Sequence, residues 1–178
     1  MADESFLQEF LETHNAYREK HNAPLMQYND EMNATAQEWA DHLLAAGVFE
    51  HSSTNDGENI YNMFSSVAIE LTGKEAVDSW YSEIKDYDWS NPGFKGSTGH
   101  FTQVVWKAST ELGVGMATDG NKVFVVGQYR PAGNMNMPGY FEDNVLEEAG
   151  REPGGTGKPS SDGGGGGGGS PKKTCTLL

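Results

Sequence analysis

Seven consecutive glycines, Gly163–Gly169, bound what this 178-residue chain can fold into. Led in by Pro153, Gly154, Gly155, Gly157 and Pro159, they offer too little apolar surface to offset the entropy that ordering would cost. The foldable part is therefore residues 1–149, and residues 150–178 are expected to form a flexible, disordered tail. A glycine-rich tether of about 25 residues reaches roughly 25–30 Å on average, taking about 5–6 Å times the square root of its length. The first part is long enough to bury a sizeable core as one domain.

Charge follows the same division. Residues 1–146 carry 22 acidic and 8 basic side chains, a net of −14, whereas residues 147–178 carry 4 of each. A domain this acidic lacks the Lys/Arg face that phosphate contacts need, so no nucleic-acid partner is expected. Anionic lipid headgroups would repel it as well. No apolar run is long enough to cross a membrane as a helix. The start Met1-Ala2-Asp3-Glu4 has neither the apolar stretch of a secretory signal nor the glycine that myristoylation needs directly after the initiator methionine. Cys175 is the sole cysteine, which excludes an intrachain disulfide framework and fits a reducing compartment. The sequon Asn33-Ala34-Thr35 would matter only in a secreted protein and, given the missing secretory signal, is read as incidental.

Periodicity predicts a first helix over about Glu4–Lys20, with Phe6, Phe10, Leu11, His14 and Tyr17 on one face. His14 is a candidate ligand, but reads more simply as a core-edge histidine satisfied by a hydrogen bond. The Ala23-Pro24 step ends that segment. A second helix is expected over about Asp30–Ala46, with Asn29 as N-cap, Met32, Ala36, Trp39, Ala40, Leu43 and Leu44 on one face, and Gly47 as the stop. Phe49–Tyr61 reads as a loop punctuated by Ser52, Ser53, Asn55 and Gly57. A third helix is expected over about Lys74–Tyr87, with Glu83 beside Trp80 on its inner side. Ser90–Thr98 reads as a loop and Phe101–Lys107 as a short helix. Leu112–Thr118 and Lys122–Tyr129, joined by Asp119-Gly120-Asn121, read as an antiparallel hairpin. The fold class is α+β. Trp39, Trp80, Trp89 and Trp106 are most simply core or cleft-wall aromatics.

Four residues stand out chemically: His51 in Phe49-Glu50-His51-Ser52-Ser53, Glu58 in Gly57-Glu58-Asn59, Glu83 in Trp80-Tyr81-Ser82-Glu83-Ile84, and His100 in Gly99–Trp106 (G-H-F-T-Q-V-V-W). Two imidazoles and two carboxylates are the ingredients of a divalent-metal or acid–base site. The segment Gly99–Trp106 resembles the first signature of the CAP family (cysteine-rich secretory, antigen 5, pathogenesis-related 1) at every position. Val125–Asn134 resembles its second signature, with Gly127 where secreted members carry a cysteine. Trp80–Lys85 followed by Pro92-Gly93-Phe94 is similar to the Golgi-associated branch. The resemblance spans roughly Phe6–Leu146. It implies a three-layer α-β-α sandwich with an antiparallel central sheet. It also implies that His51 and His100 are the family's paired histidines, and Glu58 and Glu83 its paired acids.

The resemblance and the residues together leave the role of the four open. Zn²⁺ or another divalent metal would sit on His51 and His100, with Glu58 and Glu83 as further ligands or as acceptors that orient the rings. Alternatively, Glu58 or Glu83 would serve as base for a metal-activated water in a hydrolase, or the four would form a polar network stabilising a cleft. No cysteine nucleophile is available in the domain, and no G-x-S-x-G elbow frames Ser52, Ser53, Ser65 or Ser66. A general enzymatic activity is not implied by the family.

The ending Cys175-Thr176-Leu177-Leu178 fits a C-a-a-X prenylation motif, and the terminal leucine favours geranylgeranyl. Lys172 and Lys173 add little charge and no second cysteine is present, so the expected anchoring is peripheral. The reading that follows is a prenyl-anchored, non-enzymatic domain on the cytoplasmic face of endomembranes, the Golgi by resemblance, whose cleft takes a metal and a lipid or protein ligand. The metal-dependent hydrolase and a secreted, extracellular effector are the alternatives.

Overall fold

The computed structural model describes residues 2–148 and, by backbone alone, 173–177. The glycine-rich segment lies outside the described residues, and most of the expected disordered tail, 150–178, falls there; its last part is corrected, because Lys173–Leu177 forms a strand paired with the sheet. Helix α1 spans Glu4–Lys20, and the Asp3 carboxylate caps it by accepting the Phe6 N–H at 2.8 Å. Helix α2 spans Asp30–Ala46; the Asn29 side chain caps its start, and Gly47 ends it at φ 65°. That is left-handed backbone, which glycine adopts without a Cβ penalty. Both helices agree with the local signals in the sequence, as does the hairpin of β3 (Glu111–Thr118) and β4 (Lys122–Arg130). The Asp119 carboxylate closes its turn by accepting the N–H groups of Asn121 and Lys122 at 2.9 and 2.8 Å.

Three further expectations need correction. The loop expected over Phe49–Tyr61 ends early, because strand β2 runs from Gly57 to Ser65 and pairs antiparallel with β4 from Gly57↔Tyr129 to Phe64↔Lys122. Ser and Asn punctuation is a weak local signal, and a partner strand far along the chain overrides it. The third helix divides into α3, Gly73–Tyr81, started by a reciprocal Thr72/Glu75 capping box, and a 3₁₀ helix over Ser82–Asp86. The tighter winding changes the direction in which Glu83 projects. Helix α4 spans Gly99–Val104, so His100 lies in its first turn rather than ahead of it.

The sheet order is β1-β3-β4-β2-β5, where β1 is Gln27–Tyr28 and β5 is Lys173–Leu177. Its strands are antiparallel, as expected, except for the two-residue parallel pairing of β1 with β3. Alternation along β4 sends Val123, Val125 and Tyr129 to one face, and Phe124 and Val126 to the other. The first face meets α1, α3 and α4 through Phe10, Val77, Trp80, Phe101 and Val104. The second meets α2 through Ala36, Ala40 and Leu43. These are the three layers α-β-α.

Two glycines set the separation between α2 and the sheet. A Cβ on Gly113 would lie 2.6 Å from Met32, and one on Gly115 would lie 2.4 Å from the Gln37 backbone. This close approach lets α2 serve the sheet edge. Asn33 Oδ1 accepts the Val114 N–H at 2.9 Å and Gln37 Oε1 accepts the Met116 N–H at 3.1 Å. Asn33, the sequon residue, is thus occupied with β3. A short helix α5, Tyr140–Asn144, packs Phe141 on Trp106 with ring centroids 5.0 Å apart.

Candidate functional site

The site is built on two carboxylate–imidazole pairs. Glu58 stands at the start of β2, where the backbone enters the sheet, and its side chain is 6% exposed. One of its oxygens accepts from His51 Nδ1 and from the Ser52 N–H, each at 2.9 Å; the other accepts from Ser52 Oγ at 2.5 Å and from Gln128 Nε2 at 3.2 Å. Burial pushes the Glu58 carboxyl up, but the hydrogen bonds from His51, Ser52 and Gln128 outweigh it and hold it below the ordinary glutamate value. The loop carrying His51 is pinned just before β2 by a bidentate pair, Arg130 with Asp56, at 2.9 Å for both contacts.

The second pair joins the 3₁₀ helix to α4. Glu83 Oε2 accepts from His100 Nδ1 at 2.8 Å, and Oε1 accepts the N–H groups of His100 and Phe101 at 2.9 and 3.1 Å. Thr98 makes no side-chain cap to α4. Glu83, from another element, takes over the task of satisfying the first-turn donors, and its charge suits that end of a helix. The α4 segment is further held from behind by Arg18. Its buried guanidinium donates to the carbonyls of Val104 and Trp106 at 3.0 and 2.8 Å and of Ser109 at 2.6 Å.

Both histidines line one cleft of about 280 Å³, together with Glu58, Asn59, Phe94, Gly96, Gly99 and Asn134. Glu83 does not line it and acts from behind His100. Asn59 ties the cleft floor together by donating to the His100 carbonyl at 3.1 Å. On the rim, Asn134 Oδ1 accepts from the Thr102 hydroxyl at 2.6 Å, and Asn134 Nδ2 donates to Gly99 O at 2.9 Å. His51 is half-exposed, whereas His100 is 10% exposed. In each ring Nδ1 is the nitrogen engaged by a carboxylate, which leaves the Nε2 lone pair for a ligand.

All four residues expected at the site are thus brought together, as two pairs. Among the described residues no group of three or more His, Cys, Asp or Glu is spaced to hold a metal in common. The ring nitrogens not engaged by a carboxylate are the two Nε2 atoms. Each carboxylate accepts from one imidazole and so fixes the orientation of that ring. His14 lies elsewhere. It is fully buried in the core, donates from Nδ1 to Phe10 O at 2.8 Å and accepts from the Tyr129 hydroxyl at 2.7 Å. Its reading as a satisfied histidine holds, in the core rather than at its edge.

Sequence reasoning did not single out Gln128, Asn59, Asn134 or the backbone of Ser52. The first three lie within the quoted motifs, and their amide side chains were the available signal. Gly127 sits between Phe10 and Trp80, whose nearest ring atoms would both lie 3.3 Å from a Cβ added there.

The profile of the CAP cysteine-rich secretory protein family matches residues 11–129. The chain belongs to the CAP family. Over 147 residues it is 41% identical to the Golgi-associated plant pathogenesis-related protein 1 of Homo sapiens, covering 82% of this chain and 95% of that protein. It is 38% identical to protein PRY2 of Saccharomyces cerevisiae across 79% of this chain, a match that spans 41% of the yeast protein. Among solved CAP structures, NaASP2 with Zn²⁺ superposes with a TM-score of 0.65 at 27% identity, covering 82% of this chain and 87% of that one. No helix among the described residues of this CAP domain is long and apolar enough to cross a membrane.

Proposed function

We propose that this CAP domain is a non-enzymatic binding module whose cleft takes a divalent metal, with Zn²⁺ the best fit, on His51 and His100. The observation that carries the reading is that both rings are held through Nδ1 by a carboxylate while both line the same cleft. A metal-ligating histidine characteristically donates its other nitrogen to a carboxylate or carbonyl, which fixes the tautomer and raises ligand basicity. Two protein nitrogens are fewer than the three of a typical catalytic zinc site or the four of a closed structural one. The ion would therefore keep open positions, available to water or to an acidic group on a lipid or protein ligand entering the cleft. The NaASP2 structure with Zn²⁺ supports the choice of ion.

The hydrolase reading has less support, since each carboxylate that would act as base already accepts several hydrogen bonds. The Ser52 hydroxyl donates to Glu58 rather than to an imidazole, so Ser52 is not part of a serine–histidine pair.

The second part of the proposal concerns place. We read the chain as peripheral on the cytoplasmic face of endomembranes, anchored by geranylgeranyl on Cys175, with the acidic domain facing the aqueous phase. The human relative named for the Golgi supports the compartment, and the C-a-a-X ending supports the anchor.

The test of the cleft is a thermal-shift titration of the full chain with Zn²⁺. A ligand that binds only the folded state raises the midpoint by mass action. The gain should disappear in the His51→Ala, His100→Ala double variant and shrink on acidification, where protons compete for the imidazoles. An equal zinc shift in the double variant would place the ion elsewhere.

A further inference from the structure

A sheet has two edges, and each presents a row of unpaired backbone groups unless something covers it. In this domain the β3 edge is short of strand partners beyond β1, and α2 covers it with the Asn33 and Gln37 amides. The opposite edge belongs to β2, a nine-residue strand with Ile60 and Tyr61 buried. There the covering element is the chain's own C-terminal segment. Strand β5 pairs antiparallel with it in the register Tyr61↔Leu177, Asn62↔Thr176, Met63↔Cys175, Phe64↔Thr174 and Ser65↔Lys173. The register sets Cys175 at the centre of the ladder.

We propose that the β2 edge is a strand-binding site for the chain's own C-terminus, and that Cys175 is released for prenylation only when β5 undocks. This rests on the reading of Cys175 as a lipid acceptor. The sequence of β5 suits the role, because Thr174, Cys175, Thr176 and Leu177 are compatible with an edge strand and contain no Gly or Pro. A five-residue strand pairs too weakly to hold as a free peptide. The connection supplies the remainder: tethering two segments on one chain by a linker of about this length gives an effective concentration on the order of millimolar. Docking is therefore favoured within one chain over capture of a second copy at ordinary protein concentrations, and it stays reversible.

The modification itself needs an unpaired terminus. The Cys175 sulfur attacks the allylic C1 of a prenyl diphosphate, a C–S bond forms, the C–O bond to diphosphate breaks, and the thiol proton passes to solvent. A transferase must thread Cys175–Leu178 into its own pocket, which a β-paired segment cannot enter. The apparent rate then falls by the fraction of chains that are undocked. Strand addition to an exposed edge is a general mode of peptide capture, here turned upon the protein's own acceptor motif.

The experiment compares three full-domain proteins: the intact chain, Thr174→Pro, and a chain ending at Pro171. Proline at 174 removes a ladder donor without altering the last four residues. Amide hydrogen exchange over Tyr61–Ser65 should quicken by about tenfold or more in both variants, while β3 and β4 stay protected. With purified geranylgeranyltransferase and geranylgeranyl diphosphate, the Thr174→Pro chain and a free Lys172–Leu178 peptide should be modified several-fold faster than the intact chain. Unchanged exchange in the truncated chain would overturn docking. Exchange that depends on protein concentration would make the occupant a second copy and overturn docking within one chain. Equal transfer rates for the intact chain and Thr174→Pro would overturn the gating. Failure of all substrates, the peptide included, would sink the lipid-acceptor reading and the gating with it, while the exchange data would still decide docking.

Discussion

Glu83 caps the helix that carries His100 and orients its ring with the same carboxylate. One oxygen holds the N–H groups of His100 and Phe101, the other holds His100 Nδ1 at 2.8 Å. Helix position and ring orientation are therefore set by one group, and the cleft inherits its geometry from a capping interaction.

Glu83→Ala should accordingly damage stability and site together. Loss of a cap costs about 1–2 kcal/mol, and loss of charge-assisted hydrogen bonds pushes toward the upper end. Zinc affinity should fall by about 10- to 100-fold, as when a group orienting a metal-bound histidine is removed. Urea denaturation and a zinc titration check both. A variant with lowered stability but unchanged zinc affinity would show that His100 needs no orienting partner.

Arg18 offers a test of how far the α4 segment depends on the core. It is fully buried and donates at 3.0 Å or less to the carbonyls of Pro24, in the loop before β1, and of Val104, Trp106 and Ser109, at and beyond the end of α4. Burial pushes its guanidinium down to about 10, so it stays charged at neutral pH. Arg18→Met should cost about 3–5 kcal/mol, the range for breaking a buried charged network. Chemical denaturation measures it, and a loss below about 1 kcal/mol would mean that water replaces the guanidinium.

Acid should unfold the domain along a predictable slope. Burial pushes the His14 imidazole down to about 3 in the fold, from 6.5 as the ordinary value. Between these values the unfolded chain binds the extra proton, so stability rises with pH and is lost as pH falls from about 6.5 toward 3. Each group contributes up to about 1.4 kcal/mol per pH unit in this window. His21 is lowered by burial with the same sign. Glu58, held below its ordinary value, adds a loss that begins only under about pH 4.5. Urea midpoints at pH 7, 6 and 5 should descend, and His14→Gln should flatten part of the descent. A flat profile for the wild-type chain would contradict the burial of a neutral His14.

Gly115→Ala should push α2 off the sheet, since the new Cβ would lie 2.4 Å from the Gln37 backbone. Overpacking of this kind costs about 1–3 kcal/mol. Faster exchange of the Val114 and Met116 amides, with zinc binding retained, would locate the damage at the β3 edge. An unchanged melting temperature would show that α2 can yield.

For the anchor, Cys175→Ser should shift the chain from the membrane pellet to the supernatant in eukaryotic cells, and intact mass should lose the lipid increment. Removing Lys172 and Lys173 should only weaken association, since each is worth about 1 kcal/mol near an anionic surface. A Cys175→Ser chain still in the pellet would mean that the domain itself holds the membrane.

The amino-acid sequence alone determined those parts whose causes are local. The stripe and caps of α1 and α2 lie within a few residues of one another, as does the Asp119-Gly120-Asn121 turn, so period and punctuation sufficed to place them. The chemistry of His51, Glu58, Glu83 and His100 was equally legible, because rare polar types in distinctive motifs need no coordinates to be noticed. Tertiary structure decided what depends on distant partners. Strand β2 exists because β4 lies beside it, against the local loop signals of Asn55 and Gly57. The pairing of His51 with Glu58 and of His100 with Glu83 was decided by where β2 and the 3₁₀ helix deliver their carboxylates, which no sequence spacing encodes. The docking of Lys173–Leu177 was decided by an uncovered edge much earlier in the chain. Backbone hydrogen-bonding groups must find partners, and those partners are chosen by the assembled sheet.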